Sequence, residues 1–224
     1  MRYYLFLAAI ALAMWQGGVA DAALIIYNSR AAFNAAAPGL PLETFESSTL
    51  TSGNAVSFAG PLSSLTNNST FSAGSLLNGF SLSTTSDNVY TGRDFGGSPG
   101  ANVSSVLFAA NMNLDFTPGV TAIGLDLQGW NSTNGPWTVD VIGPGGSLGV
   151  YNLPTGQFFG VISTSGPISR LFLDKPNTGG TIDNLAFGLA PAAEVPEPAS
   201  LALWSLMSVA GLAAWRRRRK ATTA

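Results

Sequence analysis

The 224-residue chain contains no cysteine and no histidine, and only 10% of its residues are charged. Without cysteine there is no disulfide, no thiolate-bound zinc and no iron–sulfur cluster. Without histidine the Ser-His-Asp and Cys-His nucleophile arrangements are excluded, together with imidazole-held zinc and haem. A chain of this length still buries a core large enough to stand without covalent staples. Chemistry is left to carboxylates, hydroxyls, amides and a few cations, and hard oxygen donors direct any metal hypothesis toward calcium.

Positive charge is scarce where a domain would need it. The formal net charge of −2 conceals a run of five cations, Arg216 to Lys220, near the end of the chain. Residues 23–194 keep only Arg30, Arg93, Arg170 and Lys175 against ten acidic residues, a net charge of −6. Such a body has no basic stripe to neutralise phosphates, so nucleic-acid binding is not expected.

What is present begins with the two ends. Arg2 precedes an apolar run through Trp15, and small residues follow up to Ala20-Asp21-Ala22. A basic start, an apolar stretch and an A-x-A pattern predict a secretory signal peptide over residues 1–22, cleaved at Ala20 and Ala22 ahead of Ala23. Signal peptidase and the secretion translocase are then partners. At the other end Val195-Pro196-Glu197-Pro198 precedes an uncharged run, Ala199 to Trp215, and then Arg216, Arg217, Arg218, Arg219 and Lys220. Seventeen helical residues span about 25 Å, the lower limit for a membrane helix. The cations belong on the cytoplasmic side, which puts the body outside.

The motif Pro196-Glu197-Pro198, a short apolar run and an arginine-rich terminus together resemble the PEP-CTERM sorting signal of exported bacterial proteins. The resemblance implies processing by an exosortase, with Val195 to Pro198 recognised, 199–215 as transient inner-membrane anchor and 216–224 as stop-transfer tail. It implies an envelope or extracellular-matrix destination, with exopolysaccharide as a possible associate. Permanent single-pass display is the alternative for the same tail. The stretches Val120 to Leu127, Phe158 to Ser163 and Ile182 to Gly188 are in turn similar to sandwich domains that precede this signal.

Residues 189–198 are rich in Ala and Pro and read as a linker, leaving 23–188 as the domain. One helix is expected, Asn28 to Ala37, capped by Asn28 or Ser29 and stopped by Pro38-Gly39. Alternation marks strands at Ile123 to Gln128, Trp137 to Val141 and Asp183 to Phe187, with turns at Asn134-Gly135-Pro136, Gly143 to Gly146 and Pro176 to Gly180. Further strands are expected at Leu24–Tyr27, Leu42–Glu46, Phe80–Thr84, Ser105–Ala110, Leu148–Tyr151, Phe158–Ser163 and Ser169–Asp174. Residues 47–79 are polar and read as surface loops or short edge strands. About ten strands and one helix imply a mainly β, antiparallel jelly-roll-like sandwich, with a closed barrel as the alternative.

Chemistry within the body is thin. Gly96–Gly100 and Gly145–Gly149 match G-x-S-x-G, but a nucleophile elbow needs a histidine that the chain lacks. A carboxylate glycoside hydrolase needs none, and Asp87 and Asp94, flanking a segment read as a loop with Tyr90 and Arg93, are the candidates. Glu43 and Glu46, three apart in one expected strand, point to opposite faces. By analogy with calcium-bearing jelly rolls, Glu46 and Asp183 are candidate ligands for one structural ion. Trp130 and Tyr90 are candidates for stacking on sugar rings, whereas Trp137, in an alternating strand, reads as core. Asn67, Asn68, Asn102 and Asn131 stand in N-x-S/T sequons, unused in a bacterial host. The expected body is a non-catalytic binding or structural module without a required cofactor.

Overall fold

The computed structural model describes residues 24–85, 88–94, 100–105, 111–129, 136–174 and 180–191. Ala20, Ala22, Ala23, Asp87, Trp130, Asn131, the Pro-Glu-Pro motif, the apolar run and the basic tail lie outside them. Among the described residues no helix is long and apolar enough to cross a membrane.

The elements are β1 (Leu24–Tyr27), α1 (Arg30–Ala36), β2 (Leu42–Glu43), β3 (Ala55–Ala59), β4 (Leu62–Ser63), β5 (Phe80–Thr84) and β6 (Asn88–Arg93). There follow β7 (Ala101–Ser105), β8 (Met112–Val120), β9 (Ala122–Gly129), β10 (Trp137–Gly143), β11 (Gly146–Leu153), β12 (Gln157–Ser163), β13 (Ile168–Asp174) and β14 (Gly180–Gly188). Helix α1 matches the expected segment: Ser29 is the extended N-cap residue, and the helix closes with the Ala37 N–H donating to the Phe33 carbonyl at 2.8 Å. The Ser29 side chain makes no capping hydrogen bond.

The strands form two antiparallel sheets. Sheet A runs β1-β12-β9-β14-β7-β6-β3, with β2 also on β14, and sheet B runs β11-β10-β13-β8-β5-β4. Four pairings are nested, β7 with β14, β8 with β13, β9 with β12 and β10 with β11, and they alternate between the sheets. Nesting of this kind is the connectivity of an eight-stranded jelly roll, extended here by β1, β3 to β6 and β2. Both sheets end in edge strands, so the closed barrel is set aside.

Several sequence expectations are corrected. The strand expected over Leu42–Glu46 stops at Glu43, because Phe45 takes φ 58°, a left-handed conformation that leaves the ladder. Tyr90 and Arg93 lie in strand β6 and not in a loop; the inward position Thr91 is polar and blurs the alternation. Strand β7 begins at Ala101, four residues ahead of the expected Ser105. Strand β8 is an element beyond those expected from the sequence, although Met112, Leu114 and Phe116 alternate cleanly with Asn113 and Asp115. The polar region 47–79 supplies loops and two short edge strands, β3 and β4.

Between the sheets lies the main core, with Val103, Leu125, Phe159 and Leu185 of sheet A meeting Leu82, Leu114, Val139 and Leu171 of sheet B. Trp137 is 1% exposed, as its alternating strand predicts. Each large apolar side chain buried in this way stabilises the fold by about 1.5–3 kcal/mol. A second, smaller core forms on the outer face of sheet A, where Phe33 of α1 packs with Phe158, Ile162, Ala122 and Ala186.

Candidate functional site

Two carboxylates of sheet A, Asp126 of β9 and Asp183 of β14, meet where β14 breaks register. The ladder between β14 and β9 shifts between Asp183 and Ala186, and Asn184 adopts φ 50°, a left-handed conformation that Asn tolerates well. Asp183 and Asp126 are cross-strand partners. Asn184 bridges them: its backbone N–H donates to Asp183 Oδ1 at 2.6 Å and its side-chain Nδ2 donates to Asp126 Oδ2 at 2.8 Å. Arg30, from α1, completes the group with Nη2 2.9 Å from Asp126 Oδ1 and 2.8 Å from the Asn184 carbonyl, its guanidinium 4.7 Å above the Phe158 ring.

Asp183 is the unusual member. Its side chain is buried in a residue only 6% exposed, and burial pushes its carboxyl up from the ordinary value to about 6. The Asn184 N–H opposes that rise, while the negative charges of Asp126 and Glu46 add to it and Arg30 offsets part. The tertiary fold thus does bring Glu46 and Asp183 within electrostatic reach, as the calcium analogy requires. Their oxygens, however, are engaged by protein donors. Glu46 Oε1 accepts from the Ala101 N–H at 2.8 Å and Oε2 pairs with Arg93 Nη1 at 2.8 Å. Among the described residues no three metal-capable side chains gather in ligand geometry. A calcium ion held by these two residues would have to compete with Arg93 and the Ala101 N–H.

The remaining carboxylates secure irregular chain. Glu43, 5% exposed, accepts the Phe45 N–H on Oε1 and the Leu77 N–H on Oε2, each at 2.7 Å. Asp94 sits at the end of β6, where its Oδ1 accepts the Gly100 N–H at 2.7 Å and its own N–H donates to the Gly100 carbonyl at 2.9 Å. The Gly100 bond first, and then the Ser52 hydroxyl, hold the Asp94 carboxyl below its usual range. Glu43 and Glu46 do not share a strand, so their separation follows from the turn at Phe45 and not from strand alternation.

Of the aromatic candidates, Tyr90 lies in β6 of sheet A and is half-buried. In the second G-x-S-x-G match, Ser147 lies in β11 and donates to Asp140 on the neighbouring strand, which leaves no elbow there. Of the sequons, Asn102 is 3% exposed, and Asn68 spends its side-chain oxygen on the Thr70 and Phe71 N–H groups.

Sheet B holds a region that sequence reading missed. Two adjoining open clefts lie on its outer face, meeting at Thr117, one beside Asp115 and Arg170 and the other beside Ser63 and Ser81. Outward-facing positions of β8 and β13 could be read from alternation, but nothing in the sequence tells that residues 55 positions apart, Asp115 and Arg170, face each other. No protein-family model matches the chain, and no curated protein matches its sequence.

Proposed function

We propose that this is an exported protein of the cell envelope or extracellular matrix, sorted by an exosortase through its C-terminal signal, whose sandwich body acts by binding or by forming structure and not by catalysis. The observation that carries the sorting reading is the order of parts in the sequence: Val195-Pro196-Glu197-Pro198, an uncharged run from Ala199 to Trp215, then Arg216 to Lys220. Proline at 196 and 198 favours an extended backbone that an enzyme can grip, and the charge run arrests the apolar segment in the inner membrane. The signal peptide over residues 1–22 demands the same topology from the other end. Supporting this division, the last strand of the sandwich ends at Gly188, ahead of the motif.

The non-catalytic reading of the body draws on its side chains. Histidine and cysteine are missing, and Glu43, Glu46 and Asp94 are each committed to backbone donors that shape the fold. Asp87, the other half of the hydrolase alternative, lies outside the described residues.

The test is the intact mass of the mature protein taken from its native envelope, compared between a normal host and one lacking the exosortase. A chain that starts at Ala23 in both, and ends near Pro196 to Pro198 only in the normal host, supports the proposal. A tail retained through Ala224 in both hosts overturns the sorting reading and makes the protein a permanent single-pass display domain.

A further inference from the structure

The clefts on sheet B lie apart from the carboxylates of sheet A and follow from the pairing register. Ser63 opposes Ser81, Ser81 opposes Asp115, Asp115 opposes Arg170 and Arg170 opposes Ile142, so these residues form one row across β4, β5, β8, β13 and β10. Four steps between neighbouring strands make that row about 19 Å long. The cleft at one end has a volume of about 460 Å³ and that at the other about 420 Å³, with Thr117 on the border of both. Two clefts of that size, bordered in common by Thr117 along a row of that length, suit an elongated ligand better than a compact one.

The chemistry of the row is that of a surface made for hydroxyl groups. At its centre Arg170 Nε meets Asp115 Oδ1 at 2.6 Å, with the two side chains 44% and 34% exposed. That contact uses one nitrogen and one oxygen. Both Arg170 Nη groups and Asp115 Oδ2 make no hydrogen bond to the described residues and remain open to a ligand. A pair of adjacent hydroxyls fits such a pair of groups, one donating to the carboxylate oxygen and the other accepting from the planar guanidinium. Ser81 and Thr117 add hydroxyls that likewise have no side-chain partner among the described residues. Leu65, 85% exposed beside one cleft, and Ile142, in the other, offer apolar surface to the C–H faces of a sugar ring.

Electrostatics narrows the ligand further. The two central charges cancel, so the row has no net charge of its own to attract an ion. The body as a whole, net −6 over residues 23–194, repels polyanions at long range. We propose that the outer face of sheet B binds a neutral polysaccharide along the row from Ser63 to Ile142, with Asp115 and Arg170 as its central contacts. The inference rests on the reading of the body as a binding module, and it moves the site from Tyr90 on sheet A to the opposite sheet.

The experiment is affinity electrophoresis of the mature, natively exported protein through gels containing a soluble neutral polysaccharide (a mixed-linkage β-glucan, a xylan or a dextran) or an anionic one such as alginate. Retardation by at least one neutral polymer is expected, and it stays the same in low and high salt. Arg170→Ala weakens it about tenfold, as loss of a charged hydrogen-bond donor does. Ser81→Trp, which fills the groove from an outward-facing, half-buried strand position, abolishes it, and Tyr90→Ala leaves it intact. Thermal melts of all three variants establish that each is folded, and the intact-mass assay shows that each is still sorted. Undiminished retardation in Arg170→Ala and Ser81→Trp overturns the proposal, as does retardation by alginate alone that salt removes. A correctly sorted wild-type chain retarded by none of these polymers also overturns it, while leaving the exosortase reading untouched.

Discussion

Gly124 and Gly160 stand opposite each other in the ladder between β9 and β12, and together they form the socket in which the Phe33 ring sits. A Cβ at Gly124 would lie 2.7 Å from Phe33 Cε1, and one at Gly160 would lie 2.8 Å from Phe33 Cδ2. Helix α1 can approach sheet A only because both positions lack a side chain. That approach in turn brings Arg30 over Asp126 and Phe158, so two glycines set the geometry of the charged group beside Asp183.

Gly160→Ala should therefore lower stability by about 1–3 kcal/mol, the cost of overpacking a filled core. Thermal or urea melts measure it. In the background of Phe33→Ala, where only the Phe158 ring (Cε1 also 2.8 Å from the new Cβ) is left to clash, the same substitution should cost less, and a double-mutant cycle reads the difference. Equal costs in the two backgrounds would show that the socket is not what makes glycine necessary there.

Glu43 holds two backbone N–H groups from segments far apart in the chain, Phe45 and Leu77. Glu43→Ala leaves both donors without their charged acceptor and should cost about 2–4 kcal/mol. Glu43→Gln, which keeps one acceptor oxygen, should recover part of that loss. Protease cleavage within residues 47–79 should quicken in the same order, because this carboxylate ties that region to β2.

Asp183 gives the stability of the fold a pH dependence of unusual sign. Its folded-state carboxyl titrates near 6, above the ordinary value of 3.8, so between those values the folded protein binds more protons than the unfolded chain. Its contribution is therefore fully present below about pH 4 and is lost as the pH rises through about 6. Asp183→Asn removes the penalty of holding a buried charge, so its stability relative to wild type should rise across that window by up to about 3 kcal/mol. Urea midpoints measured at both ends of the window test it; a constant difference would mean that Asp183 titrates normally.

The pair between Arg30 and Asp126 is about one-quarter exposed on each side, with side chains 28% and 27% accessible. A double-mutant cycle with Arg30→Ala and Asp126→Ala should give a coupling of about 0.5–1 kcal/mol, weakened by salt. Arg30→Ala by itself should cost more than Asp126→Ala, since it also loses the contact with Phe158 and the bond to the Asn184 carbonyl.

Strands with strict alternation were legible because a half-buried strand writes its two faces into the chain with a period of two. Trp137 to Gly143 and Phe80 to Thr84 show this, as their burial alternates residue by residue. Where the inward residue is polar or small the signal fades: Thr91 is fully buried yet polar, so β6 shows no clean apolar alternation. The end of β2 was illegible for another reason, since the left-handed turn at Phe45 uses a residue with no preference for that conformation.

Composition and local pattern determined, without any coordinates, that the body is mainly β, with one helix among the described residues, and that thiol and imidazole chemistry are absent. Those properties depend on residue type and near neighbours, which the chain states directly. Only the tertiary structure decided that Asp126 lies opposite Asp183, that Asp115 lies opposite Arg170, and that two glycines face one phenylalanine. Each of these pairings joins strands distant in sequence, and register between such strands is fixed by how both faces of a sheet fill their cores at once, a condition that no local stretch of sequence contains.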